Sequence, residues 1–304
     1  MDVYNSRKPL VKAGWRRALL YVLALGISGG ILLVGFSLTA YQNKPGGSQG
    51  LFYLMKESFP PMMVLSVFVL TLIITYVFCR WIDRRSFLSL GLEMRGRVPE
   101  AIAGAALGVF VVAGTCLIIQ LAGHLKWMDI LFDPKSLFLA LGTILLSASY
   151  EEIIFRGYLL DNLMASFPKW TALIISSLLF MAFHWSASGL FPLLNALALG
   201  FITGLFYLYT RNLWFPLFFH AAWKFMTGPI FGFSNDSSSQ SLLQATVQGN
   251  ENVTGGTQGL EGSLVLTAVS LLSAAALYLI LQQKNQSKIS TSSRSNIRSF
   301  PAKG

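Results

Sequence analysis

Eight long apolar runs are the feature of this sequence that most restricts its fold. An apolar stretch of about 20 residues is long enough to cross the hydrocarbon core of a bilayer as an α-helix. The runs cover residues 17–41, 60–80, 99–122, 134–160, 170–185, 189–209, 213–231 and 263–282. Only 12% of the residues are charged, whereas about 25% is usual in soluble domains. The sequence therefore predicts an all-α, polytopic membrane bundle of about eight transmembrane helices.

The distribution of Lys and Arg predicts how these helices are oriented. If both termini lie in the cytoplasm, 18 of the 23 basic residues fall in cytoplasmic segments, as the positive-inside rule requires for an even number of spans. The first run is too long for a signal-peptide core, so we interpret it as a retained span. The net charge of +10 is then explained by topology and by contact with anionic lipid, and we expect no nucleic-acid partner.

Composition divides the chain into six segments. A polar stretch rich in Ser, Gln, Asn and Gly follows the seventh run, and such a composition cannot bury enough apolar surface to order itself. Small residues between Ala101 and Gly108 favour close helix packing. The predicted segments are a basic cytoplasmic N-terminus (1–16), N-terminal transmembrane helices (17–130), a core that carries the chemistry (131–231), a flexible polar external loop (232–262), a last transmembrane helix (263–283) and a basic disordered tail (284–304).

Ionisable residues within the spans after residue 150 are the strongest functional signal. Each charged residue inside a span costs about 2.5–3.5 kcal/mol on insertion scales, so a group of them is difficult to explain by packing. The candidate catalytic residues are Glu151, Glu152, Arg156, His184, His220 and Lys224.

Spacing predicts that these residues meet. The turn at 166–169 lies midway between Glu151 and His184. Because antiparallel helices rise equally from a turn, these two side chains should lie at the same depth. Glu152 and Arg156 are four residues apart and can pair on one helix face.

His220 and Lys224 in the seventh run are also four residues apart and can share one helix face. A carboxylate with two histidines suits hydrolysis, since the carboxylate can take a proton from water and return it to a leaving amine. Glu and two His are also the ligands of some catalytic zinc sites. Neither a His-Glu-x-x-His motif nor a Gly-x-Ser-x-Gly nucleophile motif occurs. We expect no cofactor, with zinc as the alternative.

These residues also resemble the motifs of a known family. Glu151-Glu152-Ile153-Ile154-Phe155-Arg156 resembles the Glu-Glu-x-x-x-Arg motif of the CAAX prenyl protease 2 family, which includes bacterial CPBP (Abi) proteins. Phe180 and His184 match its Phe-x-x-x-His motif, and His220 matches the histidine of its His-x-x-x-Asn/Asp motif. The resemblance covers roughly residues 135–230, so that the core at 131–231 is CAAX-protease-like.

The resemblance implies an intramembrane endopeptidase. By similarity, Glu151 activates the attacking water close to His184, and Glu152 and Arg156 support the site. His220 contributes to the oxyanion site. The family is described both as metalloprotease and as metal-free, and we favour the metal-free mechanism. The expected partners are membrane lipid and a peptide or protein substrate, which in this family can be lipidated.

Lys224 departs from the family pattern, because it stands where the family has Asn or Asp. A lysine can donate to an oxyanion, or it can pair with Glu151 or Glu152 and occupy the base. Its charge would also repel a metal ion. The alternative to a protease is therefore a catalytically silenced relative that acts as a bacteriocin-immunity or assembly scaffold protein.

A transporter with a Glu/His/Lys proton relay ranks last, since neither broken helices nor an inverted repeat is apparent. The short loops and the surroundings of the motifs favour the bacterial branch of the family, and therefore the bacterial inner membrane.

Overall fold

The computed structural model describes residues 8–42, 61–185, 189–232 and 241–298, with side chains described throughout except at 39–42 and 287–298. In these ranges the chain forms a bundle of α-helices with one two-stranded sheet. The α-helices are α1 (Gly14–Gln42), α2 (Pro61–Val77), α3 (Val98–Leu121), α4 (Pro134–Glu152), α5 (Asp161–Met164), α6 (Lys169–Phe183), α7 (Leu190–Thr210), α8 (Trp214–Phe225), α9 (Glu251–Thr254) and α10 (Leu264–Arg298).

Three of these helices continue into π-helical turns, and two short 3-10 helices complete the helical structure of the described ranges. The π-helical turns are Phe78–Asp83, Ile153–Leu160 and Met226–Ile230, and the 3-10 helices are Phe87–Leu90 and Gly256–Gly262. The strands are β1 (Leu125–Ile130) and β2 (Leu243–Val247). The π-helical turn after α4 joins it directly to α5, so one continuous helical segment runs from Pro134 to Met164.

Helices occupy all eight predicted apolar runs, but they differ in length. Six helical stretches within the described residues are long and apolar enough to cross a bilayer: Gly14–Leu38, Pro61–Asp83, Val98–Leu121, Pro134–Met164, Leu190–Thr210 and Gly256–Gln286. The helix α6 has 15 residues, and α8 has 12 with a π-helical turn of 5 residues directly after it, so both are shorter than the usual span of about 20 residues. The polytopic all-α membrane bundle is confirmed, whereas a count of eight full spans is not.

The segment predicted as a flexible loop, 232–262, contains regular structure in its described part, which is residue 232 and residues 241–262. There β2 pairs antiparallel with β1, from Leu125 opposite Val247 to Ile130 opposite Leu243. Asn250 then caps α9 through a hydrogen bond from the N–H of Asn252 to its side chain, at 2.9 Å. The segment is ordered because β1, far away in sequence, satisfies its backbone groups, and composition alone does not show such pairing. The predicted disordered tail also differs, since the backbone of α10 remains helical as far as Arg298.

Close packing between α3 and α8 fixes the position of α8 in the bundle. A Cβ atom at Gly108 would lie 2.6 Å from the backbone oxygen of Phe219 and 2.9 Å from Cβ of Ala222. Gly104 faces the backbone of Phe215 one turn earlier in the same way. The predicted role of the small residues between Ala101 and Gly108 is confirmed, because only glycine permits this approach.

A buried carboxylate joins the N-terminal helices to the core. The side chain of Asp83 is fully buried and forms ion pairs with Arg17 at 3.1 Å and with Arg85 at 3.2 Å. Tyr158 donates to it from its hydroxyl at 3.2 Å, and Asn162 donates from its side-chain amide at 3.4 Å. These contacts connect α1 and the end of α2 to the π-helical turn and to α5.

Candidate active site

The helical hairpin of α4 and α6 brings Glu151 and His184 together, as their spacing predicts. Nε2 of His184 lies 3.2 Å from Oε2 of Glu151. Nδ1 of His184 lies 3.0 Å from the carbonyl oxygen of Phe180. Because a carbonyl oxygen only accepts, Nδ1 is the donor in this contact. In a neutral imidazole, Nε2 then carries the lone pair that faces Glu151.

His220 on α8 approaches the same oxygen of Glu151. Its Nε2 lies 3.5 Å from Oε2 of Glu151. Its Nδ1 donates to Oε1 of Glu152 at 2.9 Å. A hydrogen bond to the second ring nitrogen fixes the orientation of a histidine and defines which nitrogen is available. Both histidines therefore direct Nε2 towards one carboxylate oxygen of Glu151.

The pair of Glu152 and Arg156 supports this arrangement from within the bundle. Nη1 of Arg156 donates to Oε1 of Glu152 at 3.0 Å, which confirms the predicted pairing. Nη2 of Arg156 donates to the backbone oxygen of Gly200 at 3.1 Å. The guanidinium also lies 4.2 Å from the ring centre of Phe180. The pair is buried, and it connects α4 to α6, α7 and the His220 ring.

Lys224 binds the other oxygen of Glu151. Its Nζ lies 2.5 Å from Oε1 of Glu151 and 3.4 Å from Oγ of Ser147, to which it donates. The two oxygens of Glu151 thus have different neighbours, an ammonium at Oε1 and two imidazoles at Oε2. The sequence allowed Lys224 to pair with Glu151 or with Glu152, and in the structure it pairs with Glu151.

The site is buried on one side and open on the other. The side chains of Glu151 and His220 are 3% and 0% exposed, whereas those of His184 and Lys224 are 28% and 26% exposed. The open side is a cavity of about 80 Å³, large enough for several water molecules. Its polar lining is His184, Asn195, His220, Lys224 and Glu261, and its apolar lining is Pro192, Ala196, Leu199 and Trp223.

Two polar residues of this lining were missed from the sequence. Asn195 lies on α7, and Glu261 lies in the 3-10 helix that precedes α10. The site predicted from the sequence contains only ionisable residues within spans. A polar amide inside an apolar run is a signal of the same kind, and it would have identified Asn195. Glu261 lies far from the other residues in sequence, and only the fold brings it to the cavity.

A metal ion is compatible with the donor atoms of the site, although one charge opposes it. Glu151, His184 and His220 each offer a ligand atom, and these atoms lie within 4.8 Å of one another. Oε2 of Glu151 and Nε2 of His220 are buried and have no hydrogen-bond partner among the described residues. Two His and one Glu form a zinc ligand set. The ammonium of Lys224 on the same carboxylate adds a positive charge that disfavours a divalent cation.

A comparison with protein families agrees with this geometry. Residues 133–226 match the model of the family described as type II CAAX prenyl endopeptidase Rce1-like. All six candidate catalytic residues fall within this range, and the matched segment contains the whole of α4, α6 and α8. No curated protein matches the chain at a significant level. Residues 133–226, the segment that holds the candidate site, are therefore similar to the type II CAAX prenyl endopeptidase Rce1-like family.

Proposed function

We propose that this protein is an intramembrane endopeptidase that hydrolyses a peptide bond in a membrane-associated protein or peptide, with Glu151 as the base. One observation carries the proposal, which is the convergence of two imidazole Nε2 atoms on Oε2 of a buried glutamate. A water molecule between these groups would meet a proton acceptor and two oriented nitrogens. A structural hydrogen-bond network has no need of such a cluster at the edge of a cavity.

In the proposed reaction, Glu151 removes a proton from this water while the oxygen attacks the carbonyl carbon of the scissile bond. The C–O bond forms as the carbonyl π electrons move to its oxygen. The ammonium of Lys224 is the donor closest to Glu151 that can stabilise this oxyanion. Nε2 of His220 can contribute a second hydrogen bond when the ring is doubly protonated, because Nδ1 already donates to Glu152. The intermediate then collapses, the C–N bond breaks, and the proton held by Glu151 passes to the leaving amine.

The metal-free mechanism is favoured by the charge of Lys224, which lies on the carboxylate that would have to bind the ion. If zinc does bind, Glu151, His184 and His220 would hold it. The ion would then polarise the carbonyl and make the attacking water more acidic.

The sequence supports a proposal for the membrane in which the protein lies and for the kind of substrate it meets there. We propose the bacterial inner membrane as its location, with both termini in the cytoplasm, because the Lys and Arg distribution agrees with that orientation. The substrate is a peptide or protein that is itself held at the membrane. A lipidated substrate is the first to test, since the family is named for prenylated CAAX sequences.

The test is cleavage of a fluorogenic farnesylated CAAX peptide, and of the same peptide without the lipid, by membranes that contain the protein. We expect Glu151→Gln and His184→Ala to lower the cleavage rate by at least a hundredfold at equal protein amounts. The control is Glu100→Gln, which removes a partly exposed carboxylate paired with Arg97 outside the site and should cleave normally. Full cleavage by Glu151→Gln would exclude Glu151 as the base.

A second function is favoured by one observation, the contact of 2.5 Å between Lys224 and Glu151. An ammonium bound this closely occupies the proposed base and would make the chain a silenced relative with a scaffold or immunity role. The variant Lys224→Asn distinguishes the two. Cleavage that appears only in Lys224→Asn would support the silenced protein, whereas cleavage by the wild type that depends on Glu151 would support the protease.

A further inference from the structure

Asn195 lines the cavity beside the site, and only the nitrogen of its side-chain amide is hydrogen-bonded to described residues. Its side chain donates from Nδ2 to the backbone oxygen of Glu261 at 2.7 Å and to that of Ser263 at 3.3 Å. Both partners are carbonyl oxygens that only accept, so the orientation of the amide is fixed. The residue is 1% exposed, and its Oδ1 has no hydrogen-bond partner among the described residues. A buried amide oxygen without a partner is unfavourable and calls for an explanation.

The cavity contains donors that complement this acceptor. Lys224 has three N–H groups, and among the described residues two of them bind Glu151 and Ser147, so the third can donate to a ligand. A peptide unit presents one carbonyl acceptor and one N–H donor. A ligand carbonyl can therefore approach Lys224 while a ligand N–H approaches Oδ1 of Asn195.

The other residues that line the cavity indicate the polarity of the ligand group that packs against them. Ala196 and Leu199 follow Asn195 on α7, and Trp223 lies beside them on α8. This wall is apolar, so a side chain packed against it would be apolar as well. The combination of one fixed acceptor, one free donor and an apolar wall is the pattern by which binding sites recognise an extended peptide.

We propose that Asn195 is a substrate-binding residue that accepts a main-chain N–H of an extended peptide through Oδ1, with an apolar peptide side chain next to that amide. The proposal rests on the proposed endopeptidase function and names a contact that determines how its substrate is held. Glu261 and Ser263 anchor the amide nitrogen before the substrate arrives. The acceptor is thus already in position, and no entropy is lost in orienting it.

The experiment measures binding rather than cleavage, in the Glu151→Gln background. The probes are a fluorescent farnesylated CAAX peptide and the same peptide without the lipid. In each probe the amide N–H groups are replaced one at a time by an ester oxygen, which removes the donor and keeps the carbonyl. We expect one of these ester analogues to bind about three- to tenfold more weakly than the parent peptide, the loss expected for one neutral hydrogen bond.

The variants Asn195→Leu and Asn195→Ala then show whether Asn195 is the residue that accepts the peptide N–H missing from the sensitive ester analogue. In both we expect the parent peptide and the sensitive ester analogue to bind equally well. Asn195→Leu retains most of the side-chain volume, so a melting temperature near that of the parent in detergent verifies its fold. Asn162→Ala is the matched control, because Asn162 is a buried asparagine with two hydrogen bonds away from the cavity. This control should still distinguish amide from ester.

Three results would overturn the proposal. In the first, the Asn195 variants still bind the parent peptide more tightly than the sensitive ester analogue, as the parent protein does. In the second, the parent protein binds all analogues equally well. In the third, neither peptide binds. Failure of the proposed function would look different. In that case the peptide binds with Asn195-dependent discrimination, but the wild type cleaves it no faster than Glu151→Gln.

Discussion

At the scale of single residues, the site is organised by the separate surroundings of the two oxygens of Glu151. One oxygen faces Nε2 of both histidines, and the other is bound by Lys224. Spacing of four residues was sufficient to predict the Glu152–Arg156 pair, and the position of the hairpin turn was sufficient to predict the Glu151–His184 contact. The hydrogen bond from His220 to Glu152 could not be predicted, because it depends on the rotation of α8 about its own axis.

We expect Arg156→Ala to lower the free energy of unfolding by about 3–5 kcal/mol, since it removes the guanidinium that balances the buried charge of Glu152. The loss can be measured by unfolding in mixed micelles with increasing SDS. The double variant Glu152→Gln with Arg156→Met should be less destabilised than Arg156→Ala, because it leaves no unpaired charge.

The control for this prediction is Arg97→Ala. Arg97 pairs with Glu100, and both side chains are partly exposed, so the expected change is below about 1 kcal/mol. A similar small change for Arg156→Ala would mean that the buried pair does not organise the core.

At the scale of elements, the contact between α3 and α8 positions two site residues that neither helix could place alone. His220 and Lys224 both lie on α8, and α8 rests on the glycine face of α3. The sequence predicted that small residues there would allow close packing, but it did not identify α8 as the neighbour. Pairing between helices depends on contacts across more than 100 residues of sequence, and local patterns do not specify them.

We expect Gly108→Ala to lower the cleavage rate at least tenfold. The added Cβ would lie 2.6 Å from the backbone oxygen of Phe219, so α8 must move and carry His220 with it. Displacements of about 1 Å at a reacting group can lower rates by about a hundredfold. The rate is measured in membranes and normalised to the amount of folded protein.

Gly114→Ala provides the matched control on the same helix, because a Cβ atom there meets nothing within 4 Å among the described residues. It should cleave at the wild-type rate. Unchanged cleavage by Gly108→Ala would show that the position of α8 is not critical for the reaction.

At the scale of the whole molecule, the sequence predicted a polytopic helical bundle and the region that carries the site. Long apolar runs are a strong signal because every backbone polar group within a bilayer must be paired internally. Two features were not predicted. The pairing of β1 with β2 joins segments more than 110 residues apart, and Asp83 joins the N-terminal helices to the core through partners on three other segments.

Asn195 and Glu261 belong to the same group of unpredicted features. The cavity that they line exists only once α6, α7, α8 and the segment before α10 are assembled. The residues proposed as the base and its histidines could therefore be selected from the sequence, whereas the residues proposed to hold a substrate could not.

The central claim is that this chain cleaves peptides by itself, with Glu151 as the base. The most direct measurement reconstitutes purified wild type and Glu151→Gln in vesicles of bacterial lipid and identifies the products of the farnesylated CAAX peptide by mass spectrometry. The account predicts cleavage at a single peptide bond by the wild type and no product above background with Glu151→Gln. Equal amounts of the same products from both proteins would contradict it.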